Sequence, residues 1–175
     1  GRPVFDNAEV KKDLFFIADE PYFFTNSNAY DMQKYLSSIF TEFDTEQYYY
    51  MLENFGLPKK RKVSTYSKGM KKQVQLAIGF AAKPKYLLID ETFDGLDPQK
   101  KQLLKKLILE YINETNASVI IASHNLAEVS DICDHVAIIN GKTVVLNSAI
   151  EDVSENFRKV LVTFKNEITE KELEN

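Results

Sequence analysis

The sequence predicts an α/β protein: a mostly parallel sheet flanked by helices, with a helical subdomain and an antiparallel hairpin towards the C-terminus. Three observations carry this. Apolar runs at 14–17, 86–89 and 118–122 are separated by segments of helical spacing, which is how parallel strands are joined. The two later runs are continuous rather than alternating, which suits strands covered on both faces. Asn140-Gly141 stands between the apolar segments 136–139 and 143–146, a signal for a two-residue hairpin turn.

The elements follow in order. The run 14–17 is closed by Ala18-Asp19-Glu20-Pro21, a strand running into a loop, because proline restricts its predecessor and ends pairing. Residues 22–55 hold 11 of the 21 Phe and Tyr residues, on helices expected near 28–40 and 44–55, the second ended by Gly56 and Pro58. That aromatic density serves either a small core or a partner surface. Residues 59–72 carry seven basic side chains and no acidic one. Met70, Val74, Ala77, Ile78 and Ala81 then recur at helical spacing, which predicts a helix buried along one face. Asp97-Pro98 reads as N-cap and first residue of a helix whose buried stripe is Leu103, Leu104, Leu107, Ile108, Tyr111 and Ile112. A short helix is expected near 126–133. Beyond about 150 the chain is charged, with an alternating segment at 160–164 suited to an edge strand and ten final residues expected to fray.

Composition narrows the function classes. With 175 residues, 44% hydrophobic and 27% charged, the chain fits one folded domain or a large piece of one. Its 22 basic and 26 acidic side chains give a net charge of −4, so no global positive field draws in nucleic acid. Cys133 is the only cysteine, which leaves no intramolecular disulfide and favours a reducing compartment, the cytoplasm. No apolar run reaches the roughly 20 residues of a membrane-spanning helix, and the N-terminus lacks a signal-peptide layout. Any service to a membrane is expected from its cytoplasmic face, as a peripheral protein.

Two apolar strands end abruptly in polar groups: Ile89 runs into Asp90-Glu91, and Ala122 into Ser123-His124. In open α/β sheets ligands bind at the carboxyl ends of strands. Adjacent carboxylates there suit magnesium ligation by the first and polarisation of an attacking water by the second. Taken singly, the acids also read as ordinary strand ends and His124 as a structural histidine. The segment Tyr66-Ser67-Lys68-Gly69-Met70 opens an amphipathic helix; Ser67 can cap it, Gly69 allows close backbone approach, and the free amides attract an anion. A capped helix with a solvated basic face explains the same residues.

Order and spacing decide between these readings. A Ser-x-Gly helix start, an apolar strand ending Asp-Glu, then Gly95-Leu96-Asp97, then a strand ending in histidine resembles the ATPase subunit of ABC transporters over roughly residues 1–150. In that family Tyr66 to Met70 correspond to the signature motif, Tyr86 to Asp90 to the Walker B strand, Gly95-Leu96-Asp97 to the D-loop and His124 to the switch histidine. The resemblance implies a partial P-loop NTPase-type fold with four segments: 1–21, a core strand with the glutamine-loop equivalent; 22–83, the helical signature subdomain; 84–150, the catalytic α/β core; and 151–175, a C-terminal extension. It also implies ATP and Mg2+ as cofactors. Asp90 would hold the magnesium shell, Glu91 and His124 would be catalytic, and Ser67, Lys68, Gly69 and Met70 would contact ATP bound to a second ATPase subunit. Asp97 would lie across that interface.

Three departures from the family pattern stand out. Asp19 occupies the position of the family's glutamine, where an acid could still reach the magnesium shell. The signature reads Tyr-Ser-Lys-Gly-Met where leucine, glycine and glutamine are commonest at its first, third and fifth positions; this form resembles a bacterial branch rich in exporters and antibiotic-resistance pumps. Finally, no Gly-x-x-x-x-Gly-Lys-Ser/Thr loop occurs in the 175 residues, although that loop cradles the β- and γ-phosphates. The expectation is that the chain begins downstream of it, so that these residues alone bind ATP weakly and are inactive.

The resemblance therefore implies the ATP-hydrolysing subunit of an ABC transporter, coupling hydrolysis to export through an integral-membrane permease, with residues 22–55 as the docking surface. A non-transport ATPase of the same family, in DNA repair or translation, shares these motifs. The sequence lacks the heptad insertion that the repair branch would show. A nucleic-acid or lipid module built on residues 59–72 is the third reading, and such basic runs are usually solvated faces.

Overall fold

The computed structural model describes residue 3 and residues 5–156, with side chains to residue 153. The chain divides into two compact units, Gly1–Ile132 and Cys133–Asn175. The first unit contains α1 (Ala8–Lys11), β1 (Leu14–Ile17), α2 (Ala29–Ile39), α3 (Thr45–Asn54), a single 3-10 turn at Val63–Thr65, α4 (Lys68–Ala81), β2 (Tyr86–Asp90), α5 (Pro98–Thr115), β3 (Ser118–Ala122) and α6 (Leu126–Val129). The second contains β4 (His135–Asn140), β5 (Thr143–Ala149) and α7 (Ile150–Asn156). The expected strand at 160–164 and the frayed last ten residues lie outside the described residues.

Strands β1, β2 and β3 form a parallel sheet in that order, with Ile17 opposite Ile89 and Asp90 opposite Ala122. Helices join consecutive strands, as parallel pairing requires. Each long helix starts where a short polar side chain takes up free amides. Asn28 and Asp31 form a reciprocal capping box on α2, Asp44 caps α3, Ser67 caps α4 and Asp97 caps α5, with Pro98 as its first residue. Helix α5 ends at Asn116, which takes the left-handed conformation at φ 53°, a role that asparagine tolerates.

Helix α4 is the centre of this unit. From Lys72 to Ala81 every residue except Gln75 is buried, so the helix is enclosed nearly all round rather than along one face. It packs on α3 and on β1. Gly79 makes the approach to β1 possible, since a Cβ there would stand 2.9 Å from Ile17 Cδ1 and 3.2 Å from Phe15 Cδ1.

Strands β2 and β3 depart from the expected two-sided burial. On β2, Leu87 and Ile89 are buried while Tyr86 is exposed, and β3 alternates likewise. On the open face Phe16, Tyr86 and Ile120 are 53%, 52% and 59% exposed. Among the described residues no element covers that side, and a pleated strand shows every second side chain to it.

The aromatic residues of 22–55 divide between the two roles considered. Tyr48 and Phe55 are buried, as are the aliphatic Met51 and Leu52, and the Tyr48 hydroxyl donates to the Ala29 carbonyl at 3.0 Å. Tyr22, Phe24 and Tyr35 are exposed, with Phe24 and Tyr35 edge to face at 4.7 Å.

In the second unit β4 and β5 pair antiparallel, Asn140 opposite Thr143. The two turn residues are therefore Gly141 and Lys142, one position later than the Asn140-Gly141 signal suggested. Gly141 takes φ +60° without a Cβ penalty, and the register shift between Ile138 and Ile139 absorbs the extra residue.

Candidate active site

The site lies where the carboxyl ends of β2 and β3 meet the N-terminus of α4. Parallel register brings Asp90 beside Ala122, and the Glu91 amide continues the ladder by donating to the Ala122 carbonyl at 3.0 Å. The chain then turns sharply, with Glu91 at φ 45°, a left-handed conformation that costs a residue with a Cβ about 1–2 kcal/mol. This turn carries the Glu91 carboxylate to His124, whose Nδ1 lies 2.9 Å from Glu91 Oε2. Asp94 Oδ2 stands 3.9 Å from the same nitrogen. The hydrogen bond and charge of Glu91, followed by the charge of Asp94, raise the His124 pKa.

Glu91, Asp94 and His124 each offer one ligand atom within a 4.8 Å group; Asp90 and Asp19 stand outside it. Asp90, at the end of β2, is partly buried, and among the described residues no cation pairs with its carboxylate.

The signature segment sits against this turn. Ser67 Oγ accepts from the Met70 amide at 3.2 Å. Gly69 packs so closely on Gly95 that a Cβ would stand 3.1 Å from the Gly95 carbonyl oxygen. Ser67 and Lys68 are exposed, Gly69 and Met70 partly so. Asp97 is exposed, and its carboxylate caps α5 by accepting from the Lys100 amide at 3.0 Å.

Asp19 stands in another setting from the one expected. Its Oδ2 lies 3.0 Å from Lys68 Nζ and its Oδ1 2.6 Å from Lys72 Nζ. The bond from Lys72, then that from Lys68, holds its carboxyl below the usual carboxylate range.

Sequence reasoning missed Lys72 and Asp94. Lys72 is one of seven basic residues in a segment that reads as a solvated face, yet its side chain is 0% exposed. A faint signal existed, because charged side chains are rarely fully buried without partners, and Asp19 is an acid where the related family has an amide. Gln75 was also missed. With its amide turned so that both groups are satisfied, it donates to the Ala18 carbonyl at 3.0 Å and accepts from the Ala18 amide at 3.1 Å.

A profile described as ABC transporter matches residues 4–94, a span that includes Asp19, the 66–70 segment, Asp90 and Glu91. The chain belongs to the ABC transporter ATP-binding family. The ABC ATP-binding protein YtrB of Bacillus subtilis is 25% identical over 174 residues, covering 96% of this chain and 60% of that protein. The lantibiotic transport ATP-binding protein SrtF of Streptococcus pyogenes is 32% identical over 174 residues, covering 96% of this chain and 73% of SrtF. Among solved structures, an ATP-binding subunit of an ABC transporter superposes with a TM-score of 0.75 at 21% identity, over 85% of this chain and 63% of that one. CbiO1 of Clostridium perfringens, part of the ABC transporter complex cbiONQ, gives 0.65 at 23% identity, over 85% and 61%. These likenesses carry the α/β ATPase fold. The 175 residues span 60% of YtrB and 46% of the Synechocystis protein sll0415. Among the described residues no helix is long and apolar enough to cross a membrane.

Proposed function

We propose that this chain is the signature-bearing portion of the ATP-hydrolysing subunit of an ABC exporter. It would work at the cytoplasmic face of a membrane beside an integral-membrane permease and a second ATPase subunit. The observation that carries the reading is the 2.9 Å contact between Glu91 and His124 at the carboxyl ends of adjacent parallel strands. A carboxylate held by an imidazole, beside a helix N-terminus with free amides, suits attack of water on a terminal phosphate.

The roles follow from position. Glu91 polarises the attacking water, and His124 holds the carboxylate in place and stabilises charge on the γ-phosphate. Magnesium, bound together with ATP, supplies neutralisation of charge on the phosphate oxygens. Asp90 fits its shell, as a hard oxygen donor at a strand end without a competing cation among the described residues. Asp19, both of whose oxygens hold lysines, is the weaker donor to such an ion. Ser67, Lys68, Gly69 and Met70 face nucleotide on the second subunit, with the Lys68 and Gly69 amides and the Lys68 ammonium as donors, the Met70 amide being taken by Ser67, and Asp97 faces the same interface. The 175 residues contain no Gly-x-x-x-x-Gly-Lys-Ser/Thr loop, so turnover also requires that element and these residues alone are inactive.

The test is magnesium-dependent ATP turnover by the full-length protein, beside its Glu91→Gln variant, together with purification from membranes. Turnover abolished by the variant, with a membrane protein retained through purification, supports the reading. Wild-type turnover untouched by Glu91→Gln, or recovery only with ribosomes or DNA, overturns it.

A further inference from the structure

The Lys72 ammonium is enclosed and fully partnered. Its three N–H donors face three acceptors: Asp19 Oδ1 at 2.6 Å, the Glu91 carbonyl at 2.7 Å and the Asp94 carbonyl at 3.3 Å. The two carbonyls bracket the turn that aims the Glu91 carboxylate; the Glu91 amide is held by the Ala122 carbonyl at 3.0 Å and Thr92 and Phe93 are buried, but the hydrogen bonds within the turn are long. The Asp94 amide reaches the Glu91 carbonyl only at 3.3 Å, and the Leu96 amide the Phe93 carbonyl at 3.3 Å. Glu91 holds a left-handed conformation that needs such support.

We infer that Lys72 is a positioning residue for Glu91, with Asp19 as its counter-ion, so that the acid at the glutamine position serves the catalytic turn through a buried lysine. The inference rests on the proposed role of Glu91. Its physical basis is that a buried ammonium requires both a counter-charge and a full set of acceptors. Asp19 supplies the charge, and the two carbonyls complete the set. Asp19 also grips the exposed Lys68 at 3.0 Å, and Gln75 holds the adjacent Ala18 backbone against α4. The strand end at Ala18-Asp19, the signature helix and the catalytic turn are thereby joined through one nitrogen.

Charge balance and donor can be separated by substitution. Asp19→Asn leaves the buried ammonium without its counter-charge, whereas adding Lys72→Met removes that charge and fills its space with an unbranched apolar chain. The two variants, the double variant and wild type are compared in the full-length protein by thermal unfolding, by amide exchange at Asp94 and Leu96, and by ATP turnover at a temperature where all are folded. Asp19→Asn should lower the unfolding midpoint and the double variant should recover it. In the double variant kcat should nevertheless stay about tenfold low, with exchange at Asp94 and Leu96 about tenfold faster and KM for ATP little changed, as the loss of one charge-assisted hydrogen bond predicts. A double variant that regains stability, slow exchange and turnover together would make Lys72 a packing residue only and overturn the inference. Should Asp19→Asn fail to fold, Lys72→Met alone decides by the same exchange and kcat readouts. A wild type without turnover would sink the functional reading, while amide exchange would still report whether Lys72 holds the turn.

Discussion

The Glu91 carboxylate and the His124 imidazole stand 2.9 Å apart although 33 residues separate them in the chain. Two adjacent parallel strands make that meeting possible, since the register of β2 and β3 ends both at one level. The left-handed backbone of Glu91 then turns its side chain towards the neighbouring strand.

Glu91→Gln keeps the shape of the side chain and removes its basicity. Turnover of the full-length protein should fall by about 100-fold or more, the usual contribution of a positioned general base, with ATP binding retained. Steady-state kinetics and equilibrium nucleotide binding check the two halves of this expectation.

The same pair sets a pH dependence. Because the folded pKa of His124 is raised by Glu91 and then Asp94, the stabilisation from the pair is fully present below the unfolded value of about 6.5 and is lost as pH rises through the folded value. The ring is mostly exposed, so its effect on stability is small. NMR titration should find the His124 midpoint above about 6.5, falling towards that value in Glu91→Gln.

Packing of α4 on β1 gives a stability prediction. Gly79→Val pushes a branched side chain into Ile17 and Phe15, which already stand 2.9 and 3.2 Å from the position of a Cβ. Overpacking of this kind should cost about 3 kcal/mol, measured as a lower denaturation midpoint with unchanged m-value.

Alkaline pH should unfold the protein in a defined window. Burial pushes Tyr111 up to about 12 and raises Tyr48 further, so the stability linked to them is complete below the unfolded value of about 10 and declines as pH rises towards 12. Circular dichroism against pH should show the loss, and Tyr111→Phe should flatten the dependence. At neutral pH the same variant should cost about 1 kcal/mol for the bond to the Pro84 carbonyl, now 2.7 Å long.

The exposed aromatic cluster is where the proposed membrane partner is expected to dock. Phe24 lies between Tyr22 and Tyr35, at ring distances of 6.3 and 4.7 Å, and Tyr22 is 82% exposed. Phe24→Glu should abolish retention of the permease on affinity purification while leaving basal ATP turnover within about twofold, because the cluster is separate from the Glu91–His124 pair.

Local features were legible in the sequence because their physics is local. Strands at 14–17 and 118–122 stand where their apolar runs placed them, and helices begin at Asn28, Asp44, Ser67 and Asp97 because each supplies a capping oxygen. The order of the Ser-x-Gly helix start, the Asp-Glu strand end and the histidine strand end showed the family. Short or competing signals were less legible. The α1 turn and the 3-10 turn at Val63–Thr65 are too brief for periodicity to register, and the hairpin slipped one residue because a bulge shares the register with the turn.

By itself, then, the sequence determined the family and which strands and helices hold the candidate site residues, since apolar period, caps and motif order are written along the chain. Only the tertiary structure decided which of those residues meet. It placed Lys72 against the turn after β2 instead of in solvent, and it gave both oxygens of Asp19 to lysines. It also left one face of the parallel sheet open among the described residues. The physical reason is that burial of a charge depends on what folds over it. For Lys72 those groups come from the loop after β1 and the turn after β2, which no spacing within one segment can reveal.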